Sequence, residues 1–144
     1  MCGEGFCVAF IDGASSGNPG PSSYAYLIRH GEGILRGSGY LGRRTNNYAE
    51  YQALLHCLRR ALKLGCRSVS VYSDSQLLVK QVLGEYRVRD PQLKKLRDEA
   101  VELISRFQSF EIKHIPREQN SDANRLAAKV LAKILRKKGD RVDG

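Results

Sequence analysis

The sequence predicts one α/β domain on a mixed five-stranded sheet, with the first three strands antiparallel, later strands added in parallel, and helices packed on it. Three observations carry this expectation. Short apolar or alternating runs recur at strand length, and two of them lead into an aspartate: Cys7 to Ile11 before Asp12, and Ser68 to Ser73 before Asp74. Segments with apolar residues at helical spacing separate the later runs, as crossovers between parallel strands require. A chain of 144 residues, 42% of them apolar, suits one core. The expected domain is 1–144, with its core over about 6–137 and a short polar tail at 138–144.

The elements follow in order. Cys7-Val8-Ala9-Phe10-Ile11 reads as a buried strand, and the turn formers Gly13 to Pro21 follow it. Ser23 to Arg29 and Gly33 to Leu41 are two more strands, joined by a hairpin turn at His30-Gly31-Glu32-Gly33. Thr45-Asn46-Asn47 supplies cap chemistry for a helix running to about Leu64, with Gly65 as its stop. Ser68 to Ser73 is the fourth strand. Ser75 to Leu83 is a short helix ended by Gly84, and Arg87 to Asp90 is a polar link. Pro91 suits the first turn of a helix reaching about Phe107. Phe110 to Ile115 is the fifth strand, closed by Pro116, and a last helix runs from Ser121 or Asp122 to about Lys137.

Charge points to an anionic partner. The chain has 24 Lys and Arg against 15 Asp and Glu, a net +9, which gives nucleic acid a salt-dependent, sequence-independent attraction. Lys129, Lys133, Arg136, Lys137, Lys138 and Arg141 cluster near the C-terminus, where the helix dipole also favours cations. No apolar stretch is long enough for a transmembrane helix, and Met1 to Phe6 shows no secretory pattern. A cytoplasmic monomer without membrane contact is expected. Cys2, Cys7, Cys57 and Cys66 form no Cys-x-x-Cys pair, so buried free thiols are expected and a zinc site is not.

Asp12, Glu50 and Asp74 stand out by position. Two follow strands and the third lies in the first turns of a helix, so all three can meet beyond the carboxyl ends of the parallel strands. Carboxylates gathered there suit Mg²⁺ or Mn²⁺, and two such ions about 4 Å apart can align an attacking water and a leaving oxygen at a phosphodiester. Taken singly, each acid reads better as a turn or capping residue.

The joint pattern is more specific. Asp12-Gly13-Ala14-Ser15-Ser16-Gly17-Asn18-Pro19-Gly20-Pro21 resembles the opening motif of type 1 ribonucleases H. Thr45-Asn46-Asn47-Tyr48-Ala49-Glu50 is similar to their second motif, and Tyr72-Ser73-Asp74-Ser75-Gln76 to their third. Ile115-Pro116-Arg117-Glu118-Gln119-Asn120, with Ala123 to Ala127, resembles the fourth. The resemblance implies a ribonuclease H-like fold and hydrolysis of the RNA strand of RNA–DNA hybrids with two divalent ions, leaving 5′-phosphate and 3′-hydroxyl ends. It makes Asp12, Glu50 and Asp74 metal-binding acids. It also gives Gly13, Ala14, Ser15, Ser16, Asn46 and Gln76 contacts near the 2′-hydroxyl, the group that marks RNA. Asn18 and Thr45 would hold the DNA strand.

Three departures qualify the resemblance. The family's fourth acid aligns with Asn124, which keeps a carbonyl oxygen but no charge, so weaker metal binding is expected. Asp122 lies two residues earlier, roughly 200° around a helix, and is expected to cap it instead. A loop histidine found in many relatives has no counterpart here. Arg117 and Glu118 stand nearer its place as candidate auxiliary residues, and Arg117 could hold a phosphate. The chain is also too short for the basic insertion some relatives use, leaving Arg87, Arg89, Lys94, Lys95 or the C-terminal helix to grip the duplex.

The main reading is therefore a metal-dependent endonuclease, with double-stranded RNA as a second candidate substrate. The alternative is a module that binds hybrid or double-stranded RNA through a weakened or inactive metal site, as Asn124 suggests. A dinucleotide-binding loop at Gly13 to Gly20 fits poorly, because the spacing is wrong and a strand follows.

Overall fold

The computed structural model describes residues 5–143, with side chains beyond Lys137 outside the description; Cys2 and residue 144 also lie outside. The strands are β1 (Phe6–Ser15), β2 (Gly20–His30), β3 (Gly33–Arg44), β4 (Ser68–Ser73) and β5 (Ser109–His114). The helices are α1 (Asn46–Lys63), α2 (Gln76–Val82), α3 (Pro91–Ile104) and α4 (Ser121–Asp143), with a 3-10 turn at Arg117–Asn120. One sheet of order β3-β2-β1-β4-β5 holds all five strands. β1, β2 and β3 pair antiparallel, and β4 and β5 add in parallel to β1, as expected from the sequence.

Alternation along β1 sets the layers. Cys7, Ala9 and Ile11 are wholly buried under α1, whose Leu54, Leu55 and Leu58 fill the same core. Val8 and Phe10 point to the other face, as period 2 requires. α4 crosses that face over β1, β2 and β3. The helix ends follow the expected chemistry. Thr45 Oγ1 accepts from the Tyr48 N–H at 3.2 Å, Ser75 Oγ from the Leu78 N–H at 3.2 Å, and Asp90 Oδ1 from the Gln92 N–H at 2.8 Å. Gly65, with φ +84°, takes the left-handed position that closes α1. A buried bond from the Tyr51 hydroxyl to Gln81 Oε1 at 2.7 Å ties α1 to the end of α2.

Four expectations need correction. β1 does not end at Asp12: its antiparallel pairing with β2 continues to Ser15 opposite Ser22, whereas its parallel pairing with β4 stops at Ile11 opposite Ser73. α3 stops at Ile104, three residues short of Phe107, because Arg106 and Phe107 turn back onto Leu103 and Ile104. α4 continues past Lys137 into the stretch expected as tail. Cys7 and Cys66 are not free thiols but a disulfide, Cα to Cα 5.9 Å, joining the start of β1 to the turn before β4. They are 59 residues apart in sequence, and only the pairing of β1 with β4 brings them together. Cys57 is the buried free thiol expected, its ionisation pushed up to about 12 by burial, so it is chemically inert.

Candidate active site

Asp12 lies one residue past the parallel pairing of β1, and Asp74 one residue past the end of β4. These strands are neighbours, so their carboxylates meet at the same edge of the sheet. Glu50 comes from the first turns of α1. β1 and α1 touch so closely at Gly13 that a β-carbon there would collide with the backbone of Ala49 and Glu50. That contact lets the Gly13 N–H donate to Glu50 Oε1 at 2.7 Å, fixing the carboxylate beside Asp12. Carboxylate oxygens of Asp12, Glu50 and Asp74 all lie within 4.8 Å of one another.

Such crowding is electrostatically unfavourable without a cation. Burial first, then the charge of Asp74, raises the Asp12 carboxyl to about 7, while Arg117 opposes the rise. Burial and then Asp12 raise Glu50 well above the usual carboxylate range. Hard oxygen donors at this spacing fit a divalent cation, which would relieve both effects.

The acids line a depression of about 360 Å³. Asn124 lines it too, with its Nδ2 donating to the Arg117 carbonyl at 3.3 Å and its buried Oδ1 without a partner. That oxygen is left to accept a hydrogen bond or to ligate a cation. Gly13, Ala14, Ser15, Asn46 and Arg117 also border the depression, whereas Ser16, Asn18, Thr45, Gln76 and Glu118 do not. Asn18 sits behind Asn46, its Oδ1 accepting the Asn46 N–H at 2.9 Å. Thr45 is engaged as the α1 cap, and Ser16 and Gln76 are exposed beyond the rim. Asp122 is neither in the depression nor a cap: it is exposed in the first turn of α4, 3.9 Å from Arg125. The 3-10 turn feeds directly into α4 and leaves no separate cap position for it.

Sequence reasoning missed Asn120. Its side chain is buried, and its Nδ2 donates to the Ile11 carbonyl at 2.8 Å and to Asp74 Oδ2 at 3.3 Å. It thus pins Asp74 to the end of β1. The signal was available: Asn120 continues the inward stripe Ala123, Ala127 and Leu131 at helical spacing, and a polar residue there needs a buried partner.

Fold and site together define a ribonuclease H-like domain with a carboxylate cluster suited to divalent cations. A family described as reverse transcriptase-like matches residues 10–130. The ribonuclease HI of Halobacterium salinarum is 40% identical over 125 residues, covering 85% of this chain. The crystal structure of that archaeon's RNase H1 superposes with a TM-score of 0.85 at 39% identity, covering 89% of this chain and 98% of that one. The N-terminal RNase H domain of Rv2228c from Mycobacterium tuberculosis gives a TM-score of 0.88 at 35% identity, covering 92% and 98%. LC11-RNase H1, solved in complex with an RNA/DNA hybrid, gives 0.83 at 34%, covering 90% and 99%. The chain belongs to the type 1 ribonuclease H family. It spans 63% of the length of the archaeal enzyme and 33% of the bifunctional protein Rv2228c.

Proposed function

We propose that this chain is an endonuclease that hydrolyses the RNA strand of RNA–DNA hybrids, leaving 5′-phosphate and 3′-hydroxyl ends. The observation that carries the reading is the cluster of Asp12, Glu50 and Asp74, within 4.8 Å of one another at the joint of β1, β4 and α1. The crystallised hybrid complex of LC11-RNase H1, a family member of the same fold, supports the substrate class.

In this reading Asp12, Glu50, Asp74 and the Asn124 carbonyl would hold two Mg²⁺ or Mn²⁺ ions, which when bound would supply Lewis acidity at the reacting phosphate. The protein's own groups do the rest. The Gly13 N–H holds Glu50, and Asn120 holds Asp74, so neither carboxylate reorganises on binding. Arg117 borders the depression and is the candidate phosphate donor, while Glu118, outside it, is the weaker auxiliary candidate. Gly13, Ala14, Ser15, Ser16, Asn46 and Gln76 read the RNA strand, and Asn18 and Thr45 the DNA strand. Arg87, Arg89, Lys94 and Arg97 border a second open depression, between α2 and α3, and take over the grip expected of a basic insertion.

Double-stranded RNA is a further candidate substrate, and a monomer is the working form. Among the described residues no helix is long and apolar enough to cross a membrane. A cytoplasmic site of action carries a condition. Bonds such as Cys7–Cys66 persist inside hyperthermophile cells and are rare in other cytosols.

The second reading is a hybrid-binding module with an inactive metal site, which Asn124 favours. Labelled hybrid incubated with Mg²⁺ or Mn²⁺ separates the two. Cleavage is expected, with Asp74→Asn losing most of it and still binding the hybrid. Binding without cleavage at any metal concentration would establish the module instead.

A further inference from the structure

The face of the sheet opposite α1 carries a second surface, two residues back along β1 and β4 from Asp12 and Asp74. Strand register builds it. Phe10 lies opposite Leu27 on β2 and Tyr72 on β4; Leu27 lies opposite Arg36, and Tyr72 opposite Lys113. One row therefore runs Arg36, Leu27, Phe10, Tyr72, Lys113 across all five strands. The next row begins Ile34, Arg29, Val8. Phe10 and Tyr72 stack with ring centroids 5.3 Å apart, and the Arg29 guanidinium lies 5.7 Å over Phe10. Ile34 is 48% exposed. The row edges a cavity of about 120 Å³, closed on its far side by the start of α4 at Ser121 to Ala123.

Charge identifies the occupant. Arg29 and Arg36 are exposed, and neither pairs with a carboxylate among the described residues. Asp122 on the cavity wall lies 3.9 Å from Arg125, Glu111 is held by Lys113 at 3.3 Å, and Asp12 and Asp74 stand two residues further along β1 and β4. The centre is aromatic and aliphatic, and cations frame both ends. Single-stranded nucleic acid is held by aromatic stacking beside a track of cations, and the unpaired Arg29 and Arg36 supply such a track.

We propose that this row is a platform for single-stranded nucleic acid. A base packs against the Phe10–Tyr72 pair, and Arg29 and Arg36 hold the flanking phosphates. The proposal is independent of whether the acid cluster cuts, because it concerns binding without metal.

Fluorescence anisotropy of labelled oligouridylate in chelator, across a salt series, tests it. Arg29→Ala with Arg36→Ala should weaken binding about tenfold and reduce the salt slope by about 1.4, at about 0.7 per phosphate contact. Phe10→Leu, which keeps an apolar side chain, should weaken binding about tenfold through lost stacking. Arg60→Ala with Lys63→Ala, at the last turn of α1, removes the same charge from the other side of the sheet and should change binding little. Equal losses in both double variants would reduce the effect to bulk charge and overturn the proposal. So would unchanged binding in the Arg29 and Arg36 double variant. A parent that sediments as a dimer, and a double variant that is monomeric with full RNA affinity, would assign the face to a second copy of the chain instead.

Discussion

Replacing Asp12 with Asn should stabilise the metal-free fold while destroying the metal site. Asp12 is buried against two other acids, and its carboxyl is raised from 3.8 to about 7. The folded chain therefore holds a proton that the unfolded chain releases between these values, and stability falls as pH rises through the window. For this one group the cost grows from about 0.6 kcal/mol at about pH 4 to about 4 kcal/mol at about pH 8. Asn carries no such cost. With an unfolding entropy of about 2.1 cal/mol/K per residue over 144 residues, about 4 kcal/mol corresponds to roughly 13 °C in Tm. Thermal melts of parent and Asp12→Asn in chelator, at about pH 4 and pH 8, measure the difference. The variant's advantage should be large at the higher pH and nearly vanish at the lower. Added Mg²⁺ should then raise the parent more than the variant. An Asp12→Asn protein no more stable than the parent at about pH 8 would refute the account of crowded, buried charge.

Two further outcomes follow from other features. Asn124→Asp should lower the half-saturating Mn²⁺ or Mg²⁺ concentration for hybrid cleavage by about tenfold, since an added carboxylate attracts a divalent ion, whereas Asp122→Asn should leave it unchanged; the reverse pattern would show the start of α4 to be misaligned with the family by two residues. Cys7→Ala with Cys66→Ala should cost about 4 kcal/mol in urea unfolding, from loop-closure entropy at a separation of 59 residues, with cleavage per folded molecule unaltered; a loss under about 1 kcal/mol would reject that entropy account.

Much of this molecule was legible in its residues because the signals were local. Thr45, Ser75 and Asp90 cap the helices that their side chains suggest, and Gly65 and Gly84 take the positive φ that ends a helix. The order of elements fixed which strands pair in parallel, and hence that Asp12 and Asp74 share an edge. What stayed hidden depends on three-dimensional pairing. Nothing near Cys7 marks Cys66 as its partner, and the composition favoured thiols. Asp122 looked like a cap because the 3-10 turn that displaces it carries no pattern of its own. Asn120 stands within a motif, but its role of holding Asp74 rests on a contact between residues 46 apart, which no local pattern marks. The platform row was invisible for the same reason: Arg36, Phe10 and Tyr72 lie on three strands, and only register aligns them.

The make-up of the acid depression bears on how small molecules could block it. Its border is carboxylate, amide, hydroxyl and guanidinium, with Ala14 and Ala128 as its apolar side chains. An inhibitor seated there has almost no greasy wall to press against, so its affinity must come from chelation. Chelation alone cannot tell one carboxylate-lined metal site from another. A medicinal chemist would therefore gain selectivity by extending such a scaffold toward the neutral amide of Asn124, a hydrogen-bonding wall among the carboxylates.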